Sequence, residues 1–241
     1  MLLGQGHQRS DVDLMQERKL MFHATGDKDF LAADHFYFAE FTTLNHSGVT
    51  GGAVLALDDQ THTLTVAISA MGLEPNQPHI QHIHGFVDGT ASHTPTTASD
   101  ADGDGYVELG EGLPQYGQIL LNLTVDHANA TGQDNGHSHD GALTGFPTAP
   151  NGVISYVESF TLPAGKLSQD TMLDLREIVL HGLTVPAGPG AGTPGEVDGT
   201  AGYKLVLPVA SGEISEVSSA HDLHSLVGQI ALAHGLDGWM I

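Results

Sequence analysis

Two patterns in this chain carry metal-binding chemistry. From Asp100 to Glu111 the sequence DADGDGYVELGE puts Asp100, Asp102 and Asp104 at alternate positions, a glycine at Gly105 and a carboxylate at the twelfth position, Glu111. Calcium takes six to eight hard oxygens, and this spacing lets one continuous segment supply them: the three aspartates, the Tyr106 carbonyl, Glu108, and both oxygens of Glu111. Gly105 permits the sharp turn, and Val107 is the apolar residue that pins such a loop to a core. The plainer alternative is a solvated acidic turn, but chance D-x-D pairs rarely add the glycine and the glutamate in register. SHTPTTAS before the loop and GLPQYG after it are poor helix formers, so the expectation is a calcium-stapled loop in a β-domain without the helix pair of a calcium sensor.

The second pattern is histidine. His82-Ile-His84 lies in an apolar, strand-like run, where alternate residues face one side about 7 Å apart and two imidazoles can reach one ion. His137-Ser-His139 repeats the H-x-H spacing in a glycine-rich loop, and His181 closes the run LREIVLH. Three or four imidazoles converging from these places would suit copper, zinc, nickel or iron. Taken singly, each is more simply a surface or hydrogen-bonded core histidine; the doubled H-x-H raises the metal reading. His79, three residues before His82, falls outside the strand alternation, and the other histidines are scattered.

Composition narrows the choices. The chain has no cysteine, which removes disulfides, thiolate metal sites and cysteine nucleophiles. It carries 29 acids against 7 bases, a formal charge of −22, and the excess falls after residue 28, where 25 acids meet only Lys166, Arg176 and Lys204. Such a charge disfavours nucleic acid and anionic membrane surfaces as partners and favours cations. No apolar run approaches the roughly 18 residues of a membrane span, and MLLGQGHQRSDVDLMQERKLMF has no continuous apolar core of a cleavable signal peptide. There is no G-x-S-x-G elbow, P-loop or dinucleotide fingerprint.

The elements that must position these residues read as strands. FYFAEFTTL forms one run, GGAVLALDD and TLTVAISAMGL form a hairpin, and further strands are expected at 80–87, 118–124, 153–162, 175–181 and 203–209. About eight short strands bounded by turn residues predict an antiparallel β-sandwich with long loops. Residues 186–200, rich in glycine and proline, must be a loop; a helical turn is expected over 168–173. Leu223, Leu226, Val227 and Ile230 recur at helical spacing and predict a short C-terminal helix. The expected organisation is an N-terminal extension over 1–34, a sandwich over 35–213 containing the calcium loop, and a helical tail over 214–241.

The hairpin GGAVLALD…LTVAISAMGL, then HIQHIHGF, the loop DADGDGYVELGEG and YGQILLNL, followed by REIVLHGLTVPAG and PGEVDGTAGYKLVLPVASGEI, resemble the chordin-type (CHRD) domain family in its bacterial form over residues 35–213. That resemblance implies an immunoglobulin-like or superoxide-dismutase-like β-sandwich working outside the cytoplasm. A fainter similarity is to copper/zinc superoxide dismutases, which implies a copper site at His82, His84, His137 or His139, and His181. The chain departs from that pattern: it lacks the dismutase disulfide, a clear bridging histidine and an arginine after the last histidine, Arg176 being the nearest.

The sequence therefore predicts an extracytoplasmic, periplasmic or secreted metal-binding domain with calcium in the loop and copper or zinc on the histidines. A copper-dependent dismutase-like oxidoreductase and an adhesive or matrix module, partnered by itself or by a matrix component, are the competing expectations. A calcium loop in an acidic, cysteine-free chain resembles substrates of bacterial type I secretion, and Asp237–Ile241 loosely resembles a C-terminal export signal.

Overall fold

The computed structural model describes residues 33–125, 145–162 and 172–234. Two five-stranded antiparallel sheets face one another, giving the all-β sandwich that the strand pattern predicts. The first has the order β10 (Ser215–Val217), β1 (His35–Glu40), β3 (Thr50–Asp58), β4 (Thr63–Met71), β7 (Val153–Thr161). The second runs β2 (Thr42–Thr43), β9 (Gly202–Glu213), β8 (Glu177–Val185), β5 (Gln81–Gly85), β6 (Gln118–Asn122).

The core between the sheets joins Leu55, Val66 and Ile68 of the first sheet to Ile83, Leu121, Ile178 and Leu180 of the second. β3 and β4 are buried at every position but their ends, and mostly apolar, because both of their faces are covered. The outer cover is the predicted C-terminal helix, α2 (Ala220–His234), whose Leu223 and Val227 pack on Phe38, Val54 and Ala67. β7, at the sheet edge, instead alternates exposed and buried residues over its first half.

FYFAEFTTL is not one strand. The chain turns at Phe41 from the first sheet into the second, so β1 pairs with β3 while β2 pairs with β9. Gly212 allows the corner: a Cβ there would sit 2.6 Å from the Glu40 carbonyl oxygen. Strand pairing also continues past residue 213 into β10, which joins β1. The expected loop at 186–200 is present between β8 and β9. Of the turn expected over 168–173, the described end is a one-turn 3-10 helix, Leu173–Leu175.

The expectation that GLPQYG would not be helical is overturned. An eight-residue helix, α1 (Leu109–Tyr116), begins within the last residues of the acidic loop, with Glu111 in its first turn. Local propensity is outweighed by tertiary and capping contacts. Glu108 and Glu111 form a reciprocal capping box at its start, and the buried Tyr116 hydroxyl donates back to the Leu109 carbonyl at 2.8 Å. Gly112 is required by this packing, since a Cβ would fall 2.3 Å from the Tyr116 ring.

Candidate metal centre

Because Ile83, Ile178 and Leu180 enter the core, their neighbours His82, His84 and His181 face the opposite side of the second sheet. β5 and β8 are antiparallel partners with His82 opposite Val179 and His84 opposite Glu177, which places His181 diagonally beside His82. One ring nitrogen from each of the three lies within 4.8 Å of the others. Ring centroids are 5.5 Å apart for His82–His84, 5.3 Å for His82–His181 and 6.1 Å for His84–His181. The three residues are only 5%, 0% and 1% exposed, respectively, for His82, His84 and His181.

Hydrogen bonds set the ring tautomers. His84 Nδ1 donates to the Gly117 carbonyl at 2.9 Å, and His181 Nδ1 donates to the Val206 carbonyl at 2.7 Å. Both leave the lone pair on Nε2, the arrangement a metal-ligating imidazole adopts. His84 Nε2 is buried and makes no hydrogen bond, an arrangement that a neutral buried ring tolerates poorly unless something binds there. Burial drives the His84 pKa down to about 4, against the raising effect of the Gly117 bond, so its lone pair is available at neutral pH. His137 and His139 lie outside the described residues.

Sequence reasoning passed over the groups that hold this centre. His79 is wholly buried, and its ring nitrogens face the His181 carbonyl at 2.8 Å and the Glu74 carbonyl at 3.0 Å, gripping β8 where its register shifts. Gly182 follows with a φ of 111°, and a Cβ there would meet the Tyr203 hydroxyl at 2.0 Å. The only sequence signal for His79 was its nearness to His82. Tyr116 packs edge-on against His84 with ring centroids 4.6 Å apart. Gly117 has a φ of 80° and lies against the Gly85 backbone, a Cβ there falling 2.5 Å from the Gly85 carbonyl carbon. The Gly117 carbonyl thus reaches His84 because Gly117 lacks a side chain.

Two charged residues near the centre are committed elsewhere. Arg176 is buried, and its Nη1 donates to the Phe86 carbonyl at 2.6 Å, so it does not stand at a solvent-facing mouth. Glu177 accepts at Oε1 from Thr94 at 2.5 Å and from Ser211, while Oε2 is buried without a hydrogen bond. Burial raises its pKa to about 7, against the lowering effect of the hydroxyl bonds.

In the acidic loop, Asp100, Asp102 and Asp104 offer oxygens within 4.8 Å of one another, and Asp102, Glu108 and Glu111 form a second such group. Backbone N–H groups order these carboxylates: Asp100 accepts from Gly103 and Gly105, Asp104 from Tyr106, and Glu111 from Ala101. Val107 is buried and clamped by Asn45, which accepts from its N–H at 2.6 Å and donates to its carbonyl at 2.9 Å. The Tyr106 side chain packs with Val185, Val197 and Leu207.

The 186–201 loop adds Glu196, which accepts from the Leu109 N–H at 3.3 Å, and the Val197 N–H, which donates to Glu108 at 2.6 Å. Desolvation, then neighbouring carboxylates, raise Glu108 to about 7 and also push Asp104 upward. Sequence spacing gave no sign that this loop closes on the acidic one.

Fold and site together define an antiparallel β-sandwich with a buried three-histidine cluster that can hold a metal ion. No family model matches the chain, and no curated protein matches it. Among solved structures it is similar to two variants of superoxide dismutase 5 from Candida albicans. One is 10% identical with a TM-score of 0.40, covering 78% of this chain and 96% of that one. The other is 13% identical with a TM-score of 0.38, covering 78% and 92%. The chemistry assigned to the site therefore rests on its own geometry.

Proposed function

We propose that this chain is an extracytoplasmic metal-binding β-sandwich of CHRD type, with a transition-metal centre at His82, His84 and His181 and a calcium site in the Asp100–Glu111 loop. The observation that carries the first site is the convergence of three buried imidazole nitrogens within 4.8 Å. An all-imidazole donor set without thiolate suits copper or zinc. The calcium reading is supported by the two carboxylate groups that share Asp102. No described helix is long and apolar enough to cross a membrane.

Copper held by the histidines would supply one-electron redox chemistry, and zinc would supply a Lewis acid. The chain's own part is to keep His84 neutral, fix the imidazole tautomers through Gly117 and Val206, and hold the ligands dry under Tyr116 and Phe146. The all-imidazole donor set also supports the second reading, a copper oxidoreductase of dismutase type.

Elemental analysis of protein purified without added metal, repeated on His84→Ala, tests the centre. One equivalent of copper or zinc lost in the variant supports it; equal metal in both excludes it. Superoxide decay on copper-loaded protein separates the two readings. Metal-free protein that self-associates with concentration would favour the adhesive module instead.

A further inference from the structure

We propose that the electrostatic field of this chain steers cations to the histidine centre, so that the ligand exchanged there is a metal ion from solution and not a small anion such as superoxide. This rests on the histidine-centre reading above.

The first support is the fate of the bases. Among the described residues the lysines and arginines are Arg176 and Lys204. Arg176 is buried on the Phe86 carbonyl and packs against Gly85. Lys204 donates to Asp198 at 2.7 Å and to Thr200 at 3.0 Å. Arg176 is buried, with the charges of Asp174 and Asp88 acting on it, and Lys204 is ion-paired, so neither presents an exposed, unpaired positive charge to an approaching anion. From residue 29 onward the chain carries 25 acids against three bases.

The second support is the orientation of α1. Its N-terminal end lies in the carboxylates Asp100, Asp102, Asp104, Glu108, Glu111 and Glu196. At its other end Tyr116 and Gly117 touch His84. The C-terminal end of a helix carries partial negative charge, and here the carbonyl that follows it bonds the ligand ring directly. Eight residues span about 12 Å, so the acidic group lies within range of the histidines when salt is low and the Debye length is about 30 Å. One divalent ion in the loop does not neutralise six carboxylates. A neutral centre facing such a field attracts metal ions and repels oxyanions, an effect worth about 10- to 1,000-fold in association rate.

The test follows Cu(II) uptake by metal-free protein in stopped flow, through the ligand-field absorbance of the bound ion, with saturating calcium present throughout. Raising ionic strength from about 0.01 to 0.2 M should slow uptake about 10-fold or more, because the Debye length falls below 10 Å. Uptake at a salt-independent rate overturns the proposal, as does superoxide decay by the copper-loaded protein that slows when salt is added. A variant combining His84→Ala with His181→Ala separates the two layers. If it takes up as much copper as the parent, the histidine centre is wrong. If only the parent binds one copper, yet without salt dependence, steering alone is wrong.

Discussion

The histidine cluster and the acidic loop gather their candidate ligand atoms in opposite ways. The loop draws its oxygens from twelve consecutive residues, stays largely in contact with solvent, and is ordered by its own backbone N–H groups. The centre draws three nitrogens from two strands paired across the sheet and is almost wholly buried. A contiguous site pays little to assemble because its ligands are already neighbours, whereas an assembled site inherits its rigidity from the sheet. The difference predicts which one survives local damage, and which one binds softer metals.

The largest effect should come from removing a ligand of the buried centre. His181→Ala is expected to weaken copper or zinc binding by about 100-fold or more, exceeding the usual effect of changing an outer-shell partner. Isothermal titration should show calcium binding unchanged. Loss of both would mean that the two regions are one cooperative unit.

A smaller effect contrasts buried with exposed carboxylates. The Glu177 pKa is raised to about 7, so the folded state holds its proton more tightly than the unfolded chain. Stability of metal-free protein should therefore fall as pH rises from about 4.5 through 7. The loss attributable to Glu177 is about 3 kcal/mol, and Glu177→Gln should remove that part of the slope in urea titrations. Asp102→Asn, in the exposed loop, should leave this slope nearly intact.

Calcium should act next in size. At 1 mM, with a dissociation constant of about 0.1 mM, it should stabilise the fold by about 1.4 kcal/mol. Chelator should remove the gain, and Glu111→Gln should abolish it. A melting temperature indifferent to calcium would sink the loop reading while leaving the histidines untouched.

Smallest is Tyr116→Phe, which keeps the ring against His84 but removes the hydroxyl bond to Leu109. It should cost about 1 kcal/mol of stability. A measurable change in the copper spectrum of this variant would show that α1 links the two regions.

Legibility from sequence follows the same division. The hairpin of β3 and β4, the 186–200 loop and the C-terminal helix could be read because apolar periodicity and turn residues are local signals. The sheet change at Phe41 could not, since nothing in FYFAEFTTL separates residues paired to β3 from those paired to β9. The helix α1 was misread because GEGLPQY has weak propensity, while the capping box and the Tyr116 bond that form it act across the folded segment. His82 and His84 were legible as a pair by strand alternation. Their meeting with His181 was open until the register of β5 on β8 was known.

By itself, then, the sequence determined the acid excess, the absence of thiol chemistry, the position of most strands and the twelve-residue oxygen pattern, because each depends only on residue type and near-neighbour spacing. Only the tertiary structure decided that three imidazoles share one buried spot, that His79, Tyr116 and Gly117 hold them, and that Glu196 and Val197 close on the loop. Apart from the His82–His84 pair, those contacts bridge 30 residues or more of chain, and a distance set by strand register and sheet packing leaves no mark on local composition.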